Sequence, residues 1–164
     1  MPDSKRLRIL KAITSVLQGV SPVNGYQHDL SGAVYRGRMV FSEDTLLPAV
    51  SILETLNPDR DMATVGGNVK RRQKDKWHLL VQGWCLDDIH NPTDPAHNLM
   101  ADVKKRLSRI LDDSTADYML GGLIEEAELE PGVVRPPDET SSRAFFYLRL
   151  VVHVVEKLDD PYEL

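Results

Sequence analysis

Residues 143–156 read Arg-Ala-Phe-Phe-Tyr-Leu-Arg-Leu-Val-Val-His-Val-Val-Glu, and this stretch decides the fold class. Successive side chains of a β-strand point to opposite faces of a sheet. One face of this strand would carry Phe146, Leu148, Leu150, Val152 and Val154. The other would carry Phe145, Tyr147, Val151 and Val155 beside Arg149 and His153. Because both faces are largely apolar, we expect the central strand of a sheet.

Four more segments have strand-like patterns: Ala33–Phe41, Ala49–Leu56, Lys74–Leu86 and Leu120–Leu129. Pro48 precedes the second of them, and it fits there because proline cannot donate a hydrogen bond inside a sheet. The stretch 57–72 contains Gly66-Gly67 and shows neither the helical nor the strand period. We therefore expect the second and third strands to form a hairpin with a long polar loop at its tip. A second polar loop is expected at Pro131–Ser142.

Two segments have the spacing of amphipathic helices. In Ser4–Val20, apolar residues recur every three or four positions, with Asp3 or Ser4 as the cap. This stripe comprises Leu7, Leu10, Ile13, Leu17 and Val20. The second helix begins at Asp94-Pro95, where we expect Asp94 to be the N-cap. Asp102 stands four residues before Arg106, a favourable spacing for an ion pair within this helix.

These elements follow one another in the order α-β-β-β-α-β-β. We predict a single α+β domain over residues 1–158, with one mostly antiparallel sheet and both helices packed on one face. Residues 159–164 would form an acidic tail. The sequence shows no internal repeat.

Composition excludes several classes of protein. The chain has 164 residues, with 20 Lys and Arg against 25 Asp and Glu, for a net charge of -5. A mildly acidic chain is poorly suited to wrapping duplex DNA with its whole surface. The single cysteine, Cys85, excludes an internal disulfide and a cysteine-based zinc site. No apolar run approaches the roughly 20 residues that span a bilayer. We therefore expect a soluble protein without membrane partners, made in a reducing compartment.

No catalytic motif stands out. His90 and His97 bracket Asp94, with Asp87 and Asp88 upstream, but their spacing matches no standard zinc pattern. Cys85 has no basic neighbour that would lower the pKa of its thiol. The chain also lacks a Gly-x-Ser-x-Gly nucleophile elbow and a phosphate-binding glycine loop. We expect a protein that is not an enzyme and that has no catalytic residues, metal or cofactor.

Charge is unevenly distributed along the chain. A basic segment contains Lys70, Arg71, Arg72, Lys74 and Lys76. An acidic segment contains Glu125, Glu126 and Glu128. Such runs are most often solvated loop ends. The alternative is that the two segments of neighbouring copies meet head to tail, a contact that closes into a ring when its rotation divides a full turn.

The layout resembles the tail-terminator (tail-completion) proteins of long-tailed bacteriophages, from about Lys5 to Leu158. The resemblance rests on several short motifs in a fixed order. After the first helix come Val34-Tyr35-Arg36-Gly37, Leu47-Pro48-Ala49-Val50-Ser51-Ile52, and a strand with Trp77 and Trp84. An Asn91-Pro92 turn then precedes Ala96-His97-Asn98-Leu99-Met100-Ala101-Asp102-Val103-Lys104, and the apolar strand closes the domain.

The resemblance implies a structural virion protein. In that family six copies form a homohexameric ring that caps the finished tail tube, ends its polymerisation and joins it to the head. Its partners would be other copies of itself, the tail tube protein and the head-completion or neck proteins, with DNA only passing through the lumen. The family has no catalytic residues to carry over. The implied location is the virion tail, assembled in the host cytoplasm.

Three other functions remain open. A head-completion or neck protein of the head-tail connector has a similar size. A nucleic-acid-binding module would use residues 69–77, with Trp77 stacking on a base. A small hydrolase would need a carboxylate or metal site near Asp87–His97.

Overall fold

The computed structural model describes residues 1–55, 71–139 and 141–163. Within these residues the chain is an α+β domain with one mixed sheet of six strands and three helices. The helices are α1 (Lys5–Gln18), α2 (Asp94–Leu107) and the short α3 (Met119–Gly122). Single 3-10 turns follow α1 and α2, at Pro22–Asn24 and Ser108–Leu111. The strands are β1 (Val34–Arg36), β2 (Ala49–Glu54), β3 (Arg72–Trp84), β4 (Glu126–Leu129), β5 (Val133–Arg135) and β6 (Phe145–Lys157).

Strand β6 lies inside the sheet, which confirms the prediction from its two apolar faces. It pairs antiparallel with β3 from Phe145 opposite Trp84 to Lys157 opposite Arg72. Its other edge carries β4 and β5 in succession. Gly83 faces Phe146 across the β3–β6 pair, and a Cβ at Gly83 would collide with the Phe146 ring.

The sheet order is β1-β2-β3-β6-β4, with β5 beside β6. The expected β2–β3 hairpin is confirmed, because the two strands pair antiparallel from Ala49 opposite Trp84 to Glu54 opposite Leu79. Residues 56–70, which include most of the predicted loop, lie outside the described residues. The antiparallel prediction is confirmed in part, since β1 runs parallel to β2 while the other described pairings are antiparallel.

Helices α1 and α2 pack on the same face of the sheet, as predicted. The first helix is capped by Ser4, whose hydroxyl accepts a hydrogen bond of 3.3 Å from the Leu7 N–H. Its buried stripe is displaced from the predicted one, because Ile9 is fully buried while Leu7 is 36% exposed. One core cluster joins both helices to alternate residues of the central strands, which include Leu79, Val81, Leu148 and Leu150. Each such side chain contributes roughly 1.5–3 kcal/mol when fully buried.

Two predictions about α2 were wrong. The N-cap position is Thr93, and Asp94 lies in the first turn. Asp102 does not pair with Arg106, because it is buried and its Oδ2 accepts three hydrogen bonds: from the Gln27 and His28 N–H groups and from His28 Nδ1. Arg106 instead donates through Nε to the Val16 carbonyl at 2.6 Å, which ties α2 to the end of α1.

Three strand boundaries also differ from the sequence prediction. Strand β1 stops at Arg36 rather than Phe41, because Gly37 takes a left-handed conformation at φ 68°. The predicted strand Leu120–Leu129 shrinks to β4, since Met119–Gly122 forms a turn in which all four φ angles are positive. Strand β5 lies within the predicted loop Pro131–Ser142. The predicted order α-β-β-β-α-β-β therefore lacks one strand and one short helix.

Candidate assembly surfaces

The sheet face opposite α1 and α2, here called the open face, collects most of the charged residues singled out from the sequence. Pairing with β6 places Lys76 of β3 opposite His153, and His153 opposite Glu126 of β4. Residues that alternate with core positions point away from the helices, so these side chains share one surface. The basic and acidic segments, far apart in sequence, are therefore neighbours in the folded subunit.

The two segments form ion pairs within the subunit. Lys74 Nζ lies 3.8 Å from Glu125 Oε2, and Lys76 Nζ lies 3.9 Å from Glu128 Oε2. All four side chains are between 43% and 71% exposed. Exposed pairs at this separation contribute only about 0–1 kcal/mol. They remain accessible to a second molecule, but part of their charge is already balanced.

His153 and Arg149 of β6 extend this row of charges across the sheet. His153 lies between two carboxylates, with Nδ1 3.6 Å from Glu126 Oε2 and Nε2 3.8 Å from Glu128 Oε1. Arg149 Nη1 lies 3.7 Å from Glu130 Oε2. We call this row the charge ladder. Its members are Lys74, Lys76, Glu125, Glu126, Glu128, Glu130, Arg149 and His153.

The other predicted interface residues lie at one end of β3. Arg71 is exposed, and its Nη1 donates to Asp159 Oδ2 at 3.2 Å. Arg72 is the first residue of β3 rather than part of the predicted loop at 57–72. Lys70 falls outside the described residues. The structure therefore brings Lys74 and Lys76 to the acidic segment and leaves Arg71 beside the C-terminal residues.

The acidic C-terminal residues fold back onto the start of α1. The Lys5 N–H donates to the Pro161 carbonyl at 2.9 Å, and the Arg8 guanidinium donates to the Glu163 carbonyl. The Glu163 carboxylate pairs with Lys157. Carbonyl oxygens and carboxylates are favoured at a helix N-terminus because the backbone N–H groups there have no partner within the helix.

Arg6 of α1 is held between two carboxylates and an aromatic ring. It donates to Asp75 at 2.6 Å and to Glu156 at 2.8 Å, and its guanidinium lies 4.7 Å above the Trp77 ring. Burial alone lowers the pKa of Arg6, but the two hydrogen bonds outweigh it and the pKa is raised. Arg6 is therefore held in place by partners within the subunit. Trp77 is only 6% exposed, so it is not available to stack on a base.

A groove lined by both apolar and polar side chains lies at the sheet end where β2 and β6 begin and β3 ends. It has a volume of about 660 Å³ and is bounded by loop 39–47, by Trp84 and Leu86, and by residues 141–143. Phe41 packs on Trp84 with ring centroids 4.5 Å apart. The Arg38 guanidinium lies 4.9 Å from the Phe41 ring. We call this feature the end groove.

The rim of the end groove carries four exposed apolar side chains beside polar residues of loop 39–47 and of 141–143. The exposed fractions are 73% for Met39, 80% for Val40, 87% for Leu46 and 61% for Leu86. This surface was not expected from the sequence, because the alternating pattern of residues 33–41 predicted a strand that included Met39–Phe41. The available signal was the apolar pair Leu46-Leu47 beside Met39-Val40 in a segment rich in turn residues.

The residues considered for chemistry take structural roles. Cys85 is 5% exposed, and burial together with the nearby charge of Asp87 raises the pKa of its thiol to about 11. Asp87 accepts a hydrogen bond from the Ala144 N–H at 2.6 Å, and Asp88 accepts from the His90 and Asn91 N–H groups. Within residues 1–55, 71–139 and 141–163, no three or more His, Cys, Asp or Glu side chains are grouped so that they could hold a metal ion.

The helices of the described part of the chain are too short or too polar to cross a bilayer. A comparison of the chain with protein-family models gives no match, and a comparison with curated protein sequences gives no significant match.

Proposed function

We propose that the chain is a structural protein of a phage virion that forms a ring on the tail tube, ends its polymerisation and joins it to the head. The proposal combines the resemblance of the sequence with one structural observation. Four apolar side chains at the end groove, namely Met39, Val40, Leu46 and Leu86, are each more than 60% exposed. Contiguous apolar surface of this kind marks sites of association with other proteins.

The charge ladder supports the same function in a different way. Its basic side chains lie on β3 and β6 and its carboxylates lie on or beside β4, so the open face presents both signs of charge rather than one. A surface of mixed charge gives orientation to a protein contact but little affinity for a polyanion. This favours a protein partner over DNA on the open face.

The neck-protein alternative is separated from the terminator by a genetic experiment. Electron micrographs of particles that lack this protein should show overlong tails that are not attached to heads. Tails of normal length beside heads that leak DNA would overturn the terminator proposal and favour a neck protein. Light scattering on the purified chain gives an independent test, because a strict monomer that never binds tail tubes contradicts a ring.

The nucleic-acid alternative is less well supported, because the Trp77 ring is buried under Arg6. A salt titration of single-stranded DNA binding tests it directly. Binding that weakens steeply with salt and is lost when Arg71 and Arg72 are both replaced by glutamate would revive it.

A further inference from the structure

We propose that the end groove of one subunit receives the turn around Val23 of a second copy of this chain, in a head-to-tail contact. The inference rests on the proposed ring, since a heterologous contact is what closes a ring. It assigns the two surfaces that would meet, neither of which belongs to the basic and acidic segments.

The groove has the size and lining of a docking site for a few side chains. Pockets that hold small ligands enclose about 300–1,000 Å³, and the end groove measures about 660 Å³. Its floor is aromatic, formed by Phe41 and Trp84, and its rim combines exposed aliphatic side chains with polar ones. An apolar group placed there would displace water from both.

The groove lining holds one acidic and one basic residue, Glu43 and Arg143, while acidic residues outnumber basic ones in the segments next to it. Glu43 and Asp44 belong to the loop that forms one wall, and Asp87 and Asp88 follow directly after Leu86 in the other. The opposing charges are Arg143 in the third wall and Arg38, whose guanidinium stacks on the Tyr35 and Phe41 rings. The groove therefore favours an apolar group that has cations beside it.

Such a group is present on the helix layer of the same chain. Val23 is 95% exposed on the 3-10 turn that follows α1. The Lys105 ammonium of α2 is bound to the base of this turn, 3.1 Å from the Gly25 carbonyl and 4.6 Å from the Tyr26 ring. Lys104 is its neighbour in the last turn of α2. We call this surface the Val23 knob.

The groove and the knob cannot meet within one subunit. Trp84 alternates with the core residues of β3, so the groove opens on the side of the sheet away from the helices. The Val23 knob belongs to the helix layer, since Lys105 is part of α2. A second copy can bring its knob to the first copy's groove while its own groove stays free for a third.

A mixing experiment tests this arrangement with the full chain. Leu46→Asp damages the groove, and Val23→Asp damages the knob; both side chains are exposed, so neither change removes packing from the core. We expect each variant alone to associate at least about tenfold more weakly than the unchanged protein, which corresponds to about 1.4 kcal/mol. Mixed in equal amounts, the two variants should form dimers and nothing larger. The Val23→Asp chain contributes the only intact groove and the Leu46→Asp chain the only intact knob, so no further copy can be added. Light scattering after size-exclusion chromatography measures the result.

Cross-linking supplies a second readout that does not depend on weakening the contact. Leu46→Cys chains mixed with Val23→Cys chains should be joined by a short bis-maleimide, while buried Cys85 stays unreacted. The matched control replaces the groove variant with Val133→Cys, an exposed position on β5. Equal cross-linking in both mixtures would overturn the inference.

The remaining outcomes are also decisive. If the unchanged chain forms rings and both aspartate variants still do, the groove–knob contact is wrong and the proposed function stands. If Leu46→Asp leaves rings intact but prevents capping of tail tubes, the groove binds the tube protein instead. If the unchanged chain is monomeric at every concentration, both proposals fail.

Discussion

The charge ladder and the end groove both lie on the side of the sheet away from the helices, but they differ in how their side chains are partnered. On the open face Lys76 has Glu128 at 3.9 Å, and His153 lies between Glu126 and Glu128. At the end groove Leu46 and Met39 are 87% and 73% exposed. Paired, hydrated charges gain little from a partner, whereas apolar surface gains about 25 cal/mol for each Å² removed from water.

The difference suggests separate roles in an assembly: the end groove would contribute affinity, and the charge ladder would contribute orientation. In the proposed assembly, the exposed apolar side chains of the groove would supply most of the energy of association, and the charged surfaces would determine which orientations are tolerated.

The largest effect is expected at the groove floor. Trp84→Ala should lower the free energy of unfolding by about 3 kcal/mol, because the buried indole packs on Phe41 and little can refill the space. Chemical denaturation measures this. The matched control on the open face is Lys76→Ala, which should cost less than about 0.5 kcal/mol. If Trp84→Ala lowers the free energy of unfolding by less than about 1 kcal/mol, the Trp84 side chain is not tightly packed at the base of the groove.

The second effect concerns Cys85, which lies between Trp84 and Leu86 but faces the core. Its thiol has a pKa of about 11 in the folded state against 9.0 for the free group. Since the raised pKa means that the folded state holds the proton more tightly, stability is full below pH 9 and falls as the pH rises towards 11. The expected loss at pH 11 is about 2 kcal/mol, measured by denaturant titration at several pH values.

Cys85→Ala provides the control for the pH effect. The variant should be less stable at neutral pH, because it leaves a small cavity, but it should lack the loss assigned to this thiol between pH 9 and 11. An unchanged pH dependence in Cys85→Ala would show that other groups cause the loss and that burial does not raise the pKa of the Cys85 thiol as expected.

The sequence predicted the two long helices and the central strand well, because the spacing of apolar residues along the chain indicates which side chains are buried. The strand at 143–156 was identified as central from its two apolar faces, and the two long helices from their spacing. The errors occurred where backbone conformation mattered more than the pattern of polarity. Met119 and Leu120 adopt positive φ angles, which most L residues avoid, so nothing in their side chains indicates the turn.

The assembly surfaces were harder to predict than the fold. The charged segments were visible as runs, but their pairing across β6 depends on strand order, which the sequence does not state. The groove depends on loop 39–47 packing Phe41 onto Trp84, a contact between residues 43 positions apart. Exposed apolar residues in a loop follow no regular spacing in the sequence. That they lie next to one another on the surface is seen only in the folded chain.

The third prediction addresses the charge ladder. A double-mutant cycle of Lys76→Ala and Glu128→Ala should give a coupling of about 0.5 kcal/mol, because both side chains are exposed and 3.9 Å apart. Raising the salt concentration should reduce that coupling. A coupling above about 2 kcal/mol would show that the Lys76–Glu128 pair is shielded from water more than its exposed fractions indicate. The charge ladder would then no longer differ from the groove in how strongly it can contribute to binding.

The smallest effect on stability is expected at the groove rim. Leu86→Ser should change the free energy of unfolding by less than about 0.5 kcal/mol, because Leu86 is 61% exposed. The same change should reduce the binding of an apolar fluorescent dye, since the side chain contributes to the wall of the groove. Denaturation and dye titration on the same samples measure both quantities.

Glu126→Gln is the matched variant for the dye experiment. It removes one charge from the open face without altering the groove, so dye binding should stay at the level of the unchanged protein. If Glu126→Gln weakens dye binding as much as Leu86→Ser does, the dye binds at the charge ladder. The apolar surface proposed to drive association would then lie beside the charge ladder and not at the groove, and the contrast between the two surfaces would be wrong.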